Sequence, residues 1–190
     1  MLDLKHSPTA LINFYISPYE ALVRKYINDV DKNYGFEDPD DPFLKIIASK
    51  GIDHESSIIQ EYKNLGLSVG LIEGTERKGI LDETLAFMHQ GIDVIYQGAL
   101  ANKTFFGRPD FLIKKEGLSN LGEYTYEIVD AKLSKSIKSE HILQLCCYAD
   151  MLGDYLKSYP QSASIITGDH VKHKINLNEF SEYYKFIKDS

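Results

Sequence analysis

The stretch "YEIVDAKLS" (126–134) sets an acid and a lysine two residues apart in a segment otherwise rich in strand formers. Side chains alternate across a strand, so Ile128, Asp130 and Lys132 share one face while Glu127, Val129 and Ala131 share the other. An opposite-charge pair fixed on a half-buried face is either an ion pair or the start of a metal site. A second acid, Asp110, lies among apolar residues in "FFGRPDFLIK" (105–114), where a lone carboxylate is expensive to bury. Taken singly, Asp110 reads as the ion-pair partner of Arg108 or of a lysine. The turn around "EGLSNLGE" joins the two segments, so the strands are expected to be neighbours with Asp110 facing Asp130. Two carboxylates that close share a proton or hold a cation. Hard oxygen donors with open coordination positions suit Mg2+ or Mn2+. Lys132 would project to the same side, where it can orient a water or stabilise charge on a phosphoryl oxygen. The chemistry such a set fits is metal-assisted phosphodiester hydrolysis.

Positioning these residues requires a sheet, and the periodicity supplies one. Residues 1–66 read as helical, with Ser17 as N-cap and Pro18 at the first helical position of "SPYEALVRKYI". An acidic loop is expected at 35–41, then two helical stretches interrupted near Gly51 and closed by Gly66. From residue 68 the pattern changes. A short strand is expected at 68–73, a helix at 80–91, and three strands at 92–100, 104–114 and 124–133 forming an antiparallel meander. A helix over 138–159, two strands around Gly168–Asp169 and a closing amphipathic helix complete the chain. The expected fold is α+β: one domain over 1–190, with a helical part at 1–66 and a core at 68–190 built on a mixed sheet flanked by helices.

Composition bounds the partners. The net charge of −7 falls wholly in residues 1–100, and residues 101–190 balance to zero. A nucleic acid would therefore meet the second half, where Lys103, Arg108, Lys114, Lys115, Lys132, Lys135 and Lys138 cluster, and would bind in a salt-sensitive way. No apolar stretch approaches a bilayer span, and "MLDLKHSPTALINFY" carries Asp3 and His6 where a secretory signal would need a basic and then an apolar run. A soluble cytoplasmic protein with no membrane partner is expected. Cys146 and Cys147 are adjacent in a helical pattern and read as buried, unpaired thiols.

The order of motifs resembles the PD-(D/E)XK nuclease superfamily. "GRPD" and, twenty residues on, "DAK" match its Pro–Asp and acid-x-Lys elements. Gln144 and Tyr148 in "HILQLCCYADML" match the Gln-x-x-x-Tyr pattern of the RecB-like branch, and "GIDHESS" resembles that branch's N-terminal Gly…His-Glu element. The wording of "DVIYQGAL", "YEIVDAKL" and "LQLCCYADML" is close to a subgroup found as N-terminal modules of larger proteins. The resemblance implies a three-layer, restriction-endonuclease-like core and a Mg2+- or Mn2+-dependent nuclease acting on DNA, with RNA as an alternative, at single strands or ends. It also implies a module of, or partner to, a larger DNA-processing protein.

Carried over by position, Asp110, Asp130 and the backbone carbonyl of Ala131 would bind metal, His54 would add a metal contact, and Lys132 would be the catalytic lysine. Gln144 and Tyr148 would position substrate or support the lysine, with Arg108 beside them; Glu55 could replace His54 as ligand. Several RecB-like nucleases hold an iron–sulfur cluster with one cysteine before the core and three after it. Here none lies near "LINFYISPY" and none follows Cys147, so no cluster is expected, and packing of "EFSEYYKFI" against the N-terminal helices would replace that clamp. On the helix, His141, Gln144 and Tyr148 form one polar stripe, opposite a core stripe of Ile142, Leu145, Cys146, Ala149 and Leu156. Tyr124 and Tyr126 are assigned to packing ahead of base stacking. Two other readings stand beside the nuclease: a binding module that kept the fold but not the activity, and an unrelated α+β domain whose charges are structural ion pairs.

Overall fold

A computed structural model of the chain describes residues 6–30 and 41–189, so residues 35–40 of the acidic loop lie outside the described residues. The first three helices start with one local device, a capping side chain followed by proline. Ser7 caps α1 (Pro8–Ile16), Ser17 accepts Glu20 N–H at the start of α2 (Pro18–Val30), and Asp41 caps α3 (Pro42–Asn64). Contrary to expectation, α3 runs unbroken through Gly51. One glycine removes only a fraction of a helix's stability, and His54 and Ile58 anchor the following turns by burial. Its first turns expose Phe43, Leu44, Ile46 and Ile47.

The later elements are β1 (Val69–Leu71), α4 (Arg77–Gln90), β2 (Val94–Tyr96), β3 (Leu100–Ala101), β4 (Phe106–Gly107), β5 (Phe111–Ser119), β6 (Gly122–Ala131), α5 (Ser139–Leu156), β7 (Ser162–Ile166), β8 (Lys172–Asn176) and α6 (Ser181–Asp189). Six strands form one mixed sheet in the order β1-β2-β5-β6-β7-β8, parallel at β1–β2 and β6–β7 and antiparallel elsewhere. The expected three-strand meander is a more broken object. Gln97 turns the chain out of the sheet at φ 55°, and Pro109, without an N–H, ends the next pairing. The intervening β3 and β4 pair with each other as a separate ribbon.

Strand alternation gives the sheet two apolar faces. Leu112, Tyr126, Ile128 and Ile165 face the larger core, where α5 contributes Leu145, Cys146, Cys147, Ala149, Met151 and Leu152 and α1 adds Leu11 and Ile12. Val94, Phe111, Ile113, Val129 and Ile166 face the other way, under Ile58, Ile59 and Tyr62 of α3. The fold is therefore α+β in three layers, a mixed sheet flanked by helices. Among the described residues no helix is long and apolar enough to cross a membrane.

Candidate active site

The residues singled out by spacing meet at one end of the sheet. Phe111 pairs with Val129, so Asp110, just before β5, and Asp130, near the end of β6, stand side by side on the α5 face. Asp110 Oδ2 accepts the Ala131 N–H at 2.8 Å. Asp130 is 2 % exposed, and its Oδ2 lies 2.5 Å from Lys132 Nζ yet receives no well-directed hydrogen bond. Burial lifts the Asp110 carboxyl well above the usual carboxylate range, and the charges of Asp130 and Glu55 push it further; the Ala131 N–H opposes them. Burial works against the Lys132 ammonium, but the charges of Asp130, Asp110 and Glu55 outweigh it and hold its pKa above the ordinary lysine value.

At the N-terminal element the structure separates two neighbours that the sequence left as alternatives. Glu55 reaches the acids: its Oε2 accepts the Tyr96 hydroxyl at 2.8 Å and Gln97 Nε2 at 3.2 Å, and the same Nε2 donates to Asp110 Oδ1 at 3.2 Å. His54, one residue earlier on α3, points elsewhere. It is buried with Nε2 3.4 Å from the Ile166 carbonyl and its ring edge-on to His170 at 4.9 Å between centroids. A carbonyl can only accept, so Nε2 carries the proton in that contact. The Ile166 carbonyl also receives the Lys132 N–H at 2.9 Å, which leaves His54 against the back of the lysine's main chain and without a hydrogen bond to either aspartate.

Arg108 turns inward. Its guanidinium donates to the carbonyls of Gln97 (3.0 Å), Ile72 (3.0 Å) and Gly74 (3.3 Å), stapling three chain segments behind Asp110. Tyr148 is buried, and its hydroxyl donates to the Arg108 carbonyl at 3.1 Å while accepting from Gln144 Nε2 at 3.3 Å. Burial, then the charges of Asp130 and Asp110, push its phenol pKa upward. The expected polar stripe of α5 is thus corrected: Tyr148 belongs to the core, because α5 packs against the sheet, α1, α6 and the β3–β4 ribbon. Gln144 and His141 remain half-buried, and burial followed by the Lys132 charge lowers the His141 pKa. Tyr124 and Tyr126 donate their hydroxyls to carbonyls of Met88, His89 and Ile92, a packing role.

Glu127, on the opposite face, is tied to Ser164, Lys172 and Lys115; burial works against its charge, but these partners lower its pKa overall. Burial raises the Cys146 and Cys147 thiols to about 11 and about 12, and both are free. Tyr96 and Gln97 were not singled out from the sequence. The available signal was a polar residue interrupting the apolar run "DVIYQGAL", too weak to separate from a strand end.

The arrangement gathers Glu55, Asp110 and Asp130 around one lysine, and a buried carboxylate oxygen left without a directed donor is the kind of group a hard cation satisfies. Among the described residues no three His, Cys, Asp or Glu side chains are grouped closely enough to hold a metal ion by themselves. No protein-family model matches the chain, and a search of curated proteins found no match.

Proposed function

We propose that the chain is a divalent-metal-dependent nuclease that hydrolyses phosphodiester bonds of DNA, at single strands or ends. The observation that carries this reading is the buried excess of carboxylate at Asp110 and Asp130, relieved by a single ammonium. The residues fit Mg2+ or Mn2+: Asp110 and Asp130 would hold the ion, with the Ala131 carbonyl and Glu55 as further oxygen donors and His54 held in reserve against Ile166. When bound, the ion would supply a water of lowered pKa and stabilise negative charge on the phosphoryl oxygens. Lys132, kept protonated by the acids around it, orients that water or neutralises the phosphoryl group. Tyr148 and Arg108 fix the main chain just before Asp110, and Gln144 is the side chain left to meet a phosphate or base. In this reading the chain works in the cytoplasm, as a module of or partner to a larger DNA-processing protein.

End-labelled single- and double-stranded DNA and RNA, incubated with Mg2+, Mn2+ or EDTA, test the proposal. Cleavage confined to the metal-containing lanes supports it, and the substrate cut separates DNA from RNA. The second reading, a binding module without activity, draws on the 2.5 Å Asp130–Lys132 pair, which would occupy the acid in place of a cation. Binding of the same oligonucleotides without cleavage in any metal would favour it.

A further inference from the structure

The residue that joins the acids is Gln97, and its backbone conformation is uncommon. It sits at φ 55°, in the left-handed region that a glutamine rarely adopts. A glycine, which would adopt it freely, is next door at 98 and is not at positive φ; a side chain there would press on Thr84 and Ile95. The main chain of Gln97 is held from both sides. Its N–H donates to the Asp110 carbonyl at 2.8 Å, and its own carbonyl accepts Arg108 Nε at 3.0 Å. With the backbone fixed, the amide nitrogen lands between Glu55 Oε2 and Asp110 Oδ1, 3.2 Å from each. An uncommon backbone conformation kept at a site by surrounding contacts points to a role for the side chain it aims.

We infer that Gln97 is a positioning residue that couples Glu55 on α3 to Asp110 on the sheet, so that both carboxylates face one divalent cation. The inference rests on the metal-dependent reading above and adds the residue that assembles the site. The amide has two N–H donors and no charge, so it can hold one oxygen of each carboxylate and leave the remaining lone pairs for the ion. Groups that orient metal ligands in this way typically change affinity by about 10–100-fold when removed. A glutamine confined to closing the turn would leave metal affinity untouched.

The test is calorimetric titration of Mn2+ into the full chain as wild type, Gln97→Gly and Gln97→Asn, with metal-free melting curves alongside. Glycine accepts the left-handed backbone and deletes only the amide. Asparagine tolerates that backbone and keeps an amide one methylene too short to span both acids. Both variants are expected to bind Mn2+ about tenfold more weakly or worse, with metal-free melting temperatures within a few degrees of wild type. If the glycine variant melts early, the asparagine variant carries the comparison. Wild-type affinity in both variants overturns the inference alone, and a wild type that binds no Mn2+ overturns it together with the metal reading.

Discussion

Glu55, Asp110 and Asp130 set three carboxylates against one ammonium where Asp110 leads into β5 and β6 ends, and Asp110 bears the electrostatic consequence. Its folded pKa is raised, so the folded protein binds a proton there that the unfolded chain has already released. Stability from this group is therefore complete below its unfolded pKa near ~4 and is lost as pH rises through the higher folded value. Metal-free wild type is expected to melt at lower temperature at pH 8 than at pH 5, and Asp110→Asn should flatten that slope. Mn2+ should restore wild type at pH 8 and leave the variant unchanged. Superimposable melting curves for the two proteins across this range would contradict the account. Asp110, Asp130 and Lys132 were legible because strand alternation fixes their face from spacing alone. Gln97 was not, since its role depends on a backbone angle and on α3 arriving from forty residues upstream. The choice between His54 and Glu55 was equally closed to the sequence. Adjacent helix positions diverge by about 100°, and only the docking of α3 decides which of them meets the acids.

The elements owe their placement to a few close approaches. A side chain at Gly107 would come within 2.8 Å of both Pro8 and Tyr148, the contact that lets α1 and α5 close on the "GRPD" turn. Gly107→Ala should lower stability by about 1–3 kcal/mol through overpacking, and should reduce any cleavage by shifting Asp110. Denaturant unfolding and turnover measured on one preparation check both effects. Gly51 behaves oppositely: it lies inside α3 with nothing near its missing Cβ. Gly51→Ala should raise stability by about 0.5–1 kcal/mol, and a loss would mean the helix is broken there after all. The start of α2 was readable from its Ser17–Pro18 pair. The splitting of two expected strands into four was not, because pairing partners rather than propensity decided which residues joined the main sheet.

Across the molecule, polar side chains link helices that are far apart in sequence. Tyr15 of α1 meets the Tyr183 hydroxyl of α6, and Asp150 of α5 gathers Asn102, Tyr184 and Lys188. Packing of the last helix against the N-terminal helices was the sequence-based expectation, and the structure shows the Tyr15–Tyr183 contact between them. The part played by Asp150 was hidden, since its three partners are scattered over more than eighty residues. Asp150→Ala should lower stability by about 1–3 kcal/mol, because it strands three donors, while Mn2+ affinity stays at the wild-type value. The three-layer fold was legible from the order of elements and their periods. The function was legible only as a proposal, drawn from residues that converge at one end of the sheet. Its most direct test is cleavage of an end-labelled single-stranded DNA in Mn2+ by wild type, Asp110→Ala and Lys132→Ala at matched folded concentrations. The account predicts metal-dependent cleavage by wild type and at least a hundredfold loss in each variant, on the order expected when a group acting on the transition state is removed. Equal activity in all three proteins, or none in wild type with any divalent metal, would contradict it.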